Sequence, residues 1–203
     1  MGRIIADGLH ILNKPRIEEE FFVRAVVEVI TTTLINIERA LTIPGWMEQH
    51  DLEWLAGKAS THKNIVEVGC WKGRSTTCLA DNTDGHVFAV DTWLGSEEHN
   101  PPVIGLYEEF CKNMKSYIAS LKVVPVRMAS VDAARILSGN TFDMVFIDAS
   151  HDYASVKADI LAWKPLCKGL LCGHDAGHGP IMQATQELLP GVHHEHSMWV
   201  YET

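Results

Sequence analysis

The chain has 203 residues, with 17 Lys and Arg against 26 Asp and Glu, so its formal net charge is −9. That length suits one domain, or one domain plus a short extension, and an apolar share of 46% with a charged share of 21% argues against disorder. The acidic balance argues against nucleic acid as a partner, because duplex affinity comes mostly from Lys and Arg neutralising phosphates.

The N-terminus carries no apolar run of signal-peptide length. No stretch of about 20 apolar residues is present to span a bilayer. A cytoplasmic protein with no membrane partner is expected. From Ile17 to Leu41 apolar side chains recur at helical spacing: Ile17, Phe21, Val26, Val29, Ile30, Leu34, Ile37 and Leu41. Pro15 and the acids Glu18, Glu19 and Glu20 suit the start of that helix, where the dipole favours negative charge. Pro44-Gly45 ends it, and a second helix is predicted over Met47 to Lys58. Residues 1–60 therefore read as an N-terminal helical cap and residues 61–203 as the main domain. The helix Ile17–Leu41 is also a candidate homodimer contact.

Beyond the cap the period switches. Ile65–Val68, Val87–Val90, Val123–Val126, Met144–Ile147 and Leu170–Cys172 are predicted as buried parallel strands. Between them lie predicted helices at Arg74–Asn82, Gly105–Ser120, Val131–Leu137 and Ala154–Trp163. This alternation predicts an α/β, doubly wound, Rossmann-like sheet. A helix around Ile181–Leu189 stops at Pro190-Gly191, and Val192–His196 with Met198–Tyr201 read as a terminal antiparallel hairpin. The cysteines Cys70, Cys78, Cys111, Cys167 and Cys172 are odd in number and lack C-x-x-C spacing. They suit neither a disulfide framework nor a structural zinc site, so reduced thiols are expected.

In open α/β sheets ligands bind beyond the carboxyl ends of the strands. After the first strand comes Glu67-Val-Gly69-Cys-Trp-Lys-Gly73-Arg-Ser75, a glycine turn that lets backbone approach a ligand or simply turns the chain. The second strand ends at Asp91, 22 residues beyond Gly69, followed by Thr92 and Trp93. A carboxylate there can accept hydrogen bonds from a ribose diol. After the third strand Ser130 is either a helix N-cap or a contact to an adenine edge. The fourth strand ends in Asp148-Ala-Ser-His151, and the fifth in His174-Asp175. Two carboxylates from neighbouring strand ends make a hard-oxygen site for Mg²⁺ or a similar ion, and His174 or His178 would shift the preference toward transition metals. Helix capping competes for Asp152 and Asp175. Asn100-Pro101-Pro102 follows the second strand, not the fourth, and reads as a rigid loop. His193-His194-Glu195-His196 reads as a solvated strand, because alternation sends its neighbours to opposite faces.

Taken in order, Glu67–Thr76, Phe88–Ser96, Phe146–Tyr153, Trp163–Gly169 and Gly173–Asp175 resemble the class I S-adenosylmethionine-dependent methyltransferases. Within them the chain is similar to the small O-methyltransferase-like branch that includes macrolide-sugar and cephalosporin tailoring enzymes. The resemblance implies a seven-stranded sheet whose last strand is antiparallel. It implies that Glu67, Gly69, Gly73 and Ser75 line the methionine side of S-adenosylmethionine, that Asp91 holds the ribose with Thr92 beside it, that Trp93 borders the cofactor and that Ser130 sits by adenine. It further implies a divalent cation on Asp148 and Asp175, with Asp148 also touching the cofactor side. Relatives carry a further ligand after the second acid; here that residue is Ala176, and His174 is the candidate replacement. His151, with Asp148, is the expected catalytic pair. The expected reaction is O-methylation of a small hydroxylated acceptor. A cofactor-binding protein without turnover is the alternative. An NAD-dependent oxidoreductase fits less well, because the glycines are spaced G-x-x-x-G.

Overall fold

The computed structural model describes residues 35–95 and 104–203. Most of the expected helix Ile17–Leu41, and Asn100-Pro101-Pro102, lie outside the described residues. The described elements run α1 (Glu38–Leu41), α2 (Gln49–Ala59), β1 (Asn64–Val68), α3 (Arg74–Asn82), β2 (His86–Asp91), α4 (Leu106–Asn113), α5 (Lys115–Ala119), β3 (Val123–Arg127), α6 (Ser130–Ile136), β4 (Phe142–Ile147), α7 (Tyr153–Trp163), β5 (Cys167–Gly173), α8 (Gly179–Leu188), β6 (His193–Glu195) and β7 (Met198–Glu202).

The seven strands form one sheet in the order β3-β2-β1-β4-β5-β7-β6. The pairs among β1 to β5 are parallel. Strand β7 runs antiparallel to both β5 and β6, so it alone opposes the rest. Alternate residues serve opposite faces. Ile65, Met144 and Phe146 pack under α2 to α5, and Val66, Val145 and Ile147 pack under α6 to α8. Each fully buried large apolar side chain, such as Trp163 or Phe110, contributes roughly 1.5–3 kcal/mol relative to exposure. Those two layers hold the sheet rigid while its strand ends stay free for chemistry.

Two expectations need correction. The helix predicted over Ile17–Leu41 does not run continuously to Leu41, because residues 35–37 are not helical. The Asn36 N–H donates to Asn82 Oδ1 at 2.7 Å, Asn82 Nδ2 donates to the Asn36 carbonyl at 2.7 Å, and Asn36 Oδ1 accepts from the Glu38 N–H at 3.2 Å. Such side-chain partners compete with a helical ladder, and the described helix begins at Glu38. The helix predicted over Gly105–Ser120 splits at Met114, which leaves the helical region (φ −90°, ψ 6°) with its side chain wholly buried. Helix α2, within the expected cap, packs on the main domain: Leu52, Leu55, Ala56 and Ala59 are buried in one cluster with Ile65 and Leu79.

Candidate active site

The sheet order reverses between β1 and β4, which is where open α/β sheets open a crevice. A cavity of about 780 Å³ lies there. Its wall is built from residues at or just past the end of each parallel strand: Gly69, Asp91, Ser130, Asp148 and His174 stand for the five. The segment before α2 closes one side through Gly45, Trp46 and Met47, with Trp46 ringed against Trp71 at 5.1 Å between centroids.

Gly69 makes the close approach possible. Its φ is +90°, and a Cβ there would lie 2.1 Å from the Asp148 carbonyl oxygen. The backbones of β1 and β4 thus nearly touch at the crevice floor, tied by the Asp148 N–H to the Val68 carbonyl at 2.8 Å. Gly73 also has positive φ, +92°, but its Cβ direction points at Met114, and it is absent from the cavity wall. It caps the start of α3, behind the wall, whereas the sequence placed it beside the methionine side of the cofactor.

Asp91 holds the loop in front of it. Its Oδ2 accepts the N–H groups of Cys70 (2.8 Å) and Trp71 (2.9 Å), and its Oδ1 accepts that of Trp93 (2.6 Å). A carboxylate offers about four lone-pair sites, so about one remains for a ligand hydroxyl. Thr92 and Ser75 line the cavity as well. Trp93 does not. Positive φ (52°) turns it inward, where it is 2% exposed, packs on Tyr107 and Phe110, and donates Nε1–H to the Trp71 carbonyl at 2.9 Å. Trp71 takes the position at the cavity that Trp93 was expected to hold.

Glu67 is likewise behind the wall. It is fully buried, and the Thr76 hydroxyl donates to it. Burial pushes its carboxyl up to about 7, against the hydrogen bonds that favour the charged form. Strand alternation places it on the Ile65 face of β1, beneath α2 and α3. At the other end of the cavity, Ser130 is the first residue of α6 and Ala129 holds the N-cap position, so Ser130 does not cap. Its Oγ accepts from Trp163 Nε1 at 2.9 Å and interacts with Asp159, which burial pushes up to about 6. Asp159 lines the cavity and was missed. The signal was an acid on the buried stripe of α7, between Val156 and Trp163.

The strand ends of β4 and β5 bring a charged cluster together. His174 Nδ1 lies 3.2 Å from Asp175 Oδ2 and 3.9 Å from Asp148 Oδ1. His151 Nε2 lies 3.1 Å from the same Asp175 oxygen. Burial drives Asp148 up to about 6, an effect that the neighbouring imidazoles only partly offset. Hydrogen bonds from His151 and His174 hold Asp175 well below the usual carboxylate range. For His174, burial would depress the imidazole, but the bond to Asp175 and the charges of Asp148 and Asp175 outweigh it, giving about 9. Asp175 does not cap α8, whose N-cap is His178 with no side-chain cap bond; Asp152 does cap α7, accepting the Ser155 N–H at 3.0 Å.

Asp148, His174 and Asp175 each present one donor atom, all within 4.8 Å of one another. Two carboxylate oxygens and an imidazole nitrogen in that span suit a divalent ion. Ala176 is buried, and its N–H is spent on the Ser197 carbonyl at 2.9 Å. In the histidine run at β6 and just past it, His193, His194 and His196 are exposed; Glu195 pairs with His193 Nε2 at 3.1 Å and accepts from Trp54 Nε1 at 2.6 Å. All five cysteines are free thiols. Among the described residues no helix is long and apolar enough to cross a membrane.

A family model described as a methyltransferase domain matches residues 66–176. The uncharacterized protein y4gI of Sinorhizobium fredii is 28% identical over 117 residues, 55% of this chain and 12% of that protein. The chain thus spans about an eighth of that curated relative. Among solved structures, the SAH-bound methyltransferase of Podospora anserina is similar with a TM-score of 0.61, 16% identity and full coverage of both chains (100% and 100%). The Bacillus cereus O-methyltransferase in complex with SAH gives 0.58 and 16%, covering 96% of this chain and 94% of that one. A TDP-rhamnose 3′-O-methyltransferase of calicheamicin biosynthesis gives 0.55 and 14%, covering 95% and 96%. At these identities the structures share a fold with this chain.

Proposed function

The chain belongs to the methyltransferase-domain family, and from that premise we propose that it moves a methyl group from S-adenosylmethionine to an oxygen of a small hydroxylated acceptor, assisted by a divalent ion. One observation carries the reading. Asp91 at the end of β2 and the Asp148–His174–Asp175 cluster at the ends of β4 and β5 open into a single cavity, with the Gly69 turn between them.

The cofactor lies across that turn. The one free acceptor site of Asp91 takes a ribose hydroxyl, while its three backbone bonds keep the 70–71 loop folded against the sugar. Ser75 stands at the methionine side, and Ser130 with Asp159 at the base side. The acids on the wall favour a cationic sulfonium over the neutral thioether left after transfer, which helps the product leave.

In the reaction the C–S bond breaks as the acceptor oxygen bonds to the methyl carbon, and the acceptor loses its hydroxyl proton. Holding oxygen, methyl and sulfur in line supplies a large part of the rate. Asp148, His174 and Asp175 are the residues that would hold the ion. When bound, such an ion lowers the pKa of a ligated hydroxyl and fixes vicinal oxygens. His151 is turned toward the cavity by Asp175 at 3.1 Å and takes the proton.

Calorimetry with SAH and with NADH, followed by methyl transfer to a panel of catechols, sugars and phenols with and without EDTA, tests this. SAH binding without NADH binding, and turnover that falls on chelation and returns with metal, is the expected result. Absence of SAH binding refutes the function. SAH binding with no transfer across the panel leaves only a cofactor-binding protein. Full turnover after chelation refutes the metal part alone.

A further inference from the structure

Helix α2 contributes a residue that no strand-end motif points to. Asp51 sits in its first turn and is 1% exposed, yet its carboxylate lies in an otherwise apolar stripe with Leu52, Leu55 and Ala56. A buried carboxylate is costly unless paired, and an apolar side chain would fit that stripe at less cost. Its Oδ2 meets His174 Nε2 at 3.4 Å, across 123 residues of sequence. Its Oδ1 lies 3.4 Å from His50 Nε2 but makes no hydrogen bond.

We propose that Asp51 is a positioning residue for the metal site: it accepts the His174 Nε2–H and so fixes the tautomer in which Nδ1 offers its lone pair to an ion shared with Asp148 and Asp175. This rests on the metal reading above.

The geometry supports it from both sides of the ring. Nδ1 is the nitrogen that faces the two cavity carboxylates, at 3.2 and 3.9 Å, while Nε2 faces away from the cavity toward Asp51. Imidazole has one donor and one acceptor nitrogen when neutral, and carboxylates face both; with an ion drawing on the Nδ1 lone pair, Asp51 is the acceptor left to hold the proton on Nε2. A histidine that ligates a metal commonly donates its other N–H to such a carboxylate, and losing the partner costs about 10–100-fold in metal affinity. Ala176 provides no side-chain donor, so His174 carries the third position of the site and its orientation decides the site's affinity. At its Nε2 end the ring meets Asp51.

The test uses the full chain with Co²⁺ as the probe, followed by its d–d absorption, and ¹⁵N-histidine NMR of the Zn²⁺-loaded wild type. Asp51→Asn and Asp51→Leu are expected to weaken Co²⁺ binding about 10–100-fold, while the melting temperature without metal stays close to wild type. The wild-type His174 ring is expected to show a protonated Nε2. Co²⁺ affinity within twofold of wild type in both variants overturns the proposal, and so does an Nδ1-protonated His174 in the loaded wild type, a measurement that needs no variant to fold. Wild-type protein that binds no Co²⁺ overturns the metal reading itself, which separates the two failures.

Discussion

Substituting Gly69 by alanine tests the close approach on which the cavity depends. The new Cβ would stand 2.1 Å from the Asp148 carbonyl oxygen, and the nearby Asp148 carbonyl carbon and Ala149 Cα would be at 2.5 and 2.7 Å. All three are backbone atoms, so no side chain can swing away to make room. The β4 end must retreat by about 1 Å to restore contact in a close-packed interior. Two costs add. A residue with a Cβ in the left-handed region loses about 1–2 kcal/mol, and forcing extra volume into a packed site costs about 1–3 kcal/mol. The sum, about 2–5 kcal/mol, corresponds to a fall in Tm of roughly 4–20 °C for a chain of this size. Because the displaced atoms carry Asp148 itself, SAH affinity and metal affinity should fall together, at least about tenfold, as expected of a misplacement on the order of 1 Å in a built site. Urea melts and calorimetry read both effects. A Gly69→Ala protein within about 2 °C of wild type that binds SAH normally refutes the argument.

Asp91→Ala removes the acceptor for the Cys70, Trp71 and Trp93 N–H groups. It should lower SAH affinity more than tenfold, by calorimetry, and cost about 1–3 kcal/mol of stability in urea through unsatisfied donors. Trp93→Phe keeps the inward packing on Tyr107 and Phe110 and loses only the indole N–H bond to Trp71; its SAH affinity should stay within about twofold while stability falls by about 1 kcal/mol. Asp159 gives a pH test. Its folded carboxyl sits at about 6 against 3.8 unfolded, so the folded state binds the proton more tightly. Wild-type stability from this group is present below pH 4 and is lost as pH rises through 6. Asp159→Asn should therefore gain relative to wild type between about pH 4 and 6, by up to about 3 kcal/mol above that window; a pH-independent difference would contradict the burial argument.

The sheet was readable because β1 to β5 are apolar on both faces and end in groups that are costly to bury. Asp91, Asp148, His174 and Asp175 stand out for that reason, and each lines the cavity. Parity within a strand was the neglected signal: Glu67 shares a face with Ile65, which sends it under α2 and α3 and away from the crevice. The two tryptophans were not separable by pattern. Trp71 and Trp93 both follow strand ends and both have positive φ, 48° and 52°. Only the packing of α4 decides which one the core absorbs. Asp51 was out of reach altogether, since nothing local to α2 announces a partner at residue 174. The break at Met114 was invisible for a related reason, since its side chain is buried against the Gly73 turn of a distant element.

The thiols carry a practical corollary. Cys70, Cys78, Cys167 and Cys172 are buried, and burial raises each of them, so few thiolates exist there to react. Cys111 alone is partly open to solvent, on the helix whose first residue, Leu106, borders the cavity. Alkylating reagents should thus find a single address on the folded protein. A fluorophore or spin label attached there without any mutation would stand one helix away from the chemistry.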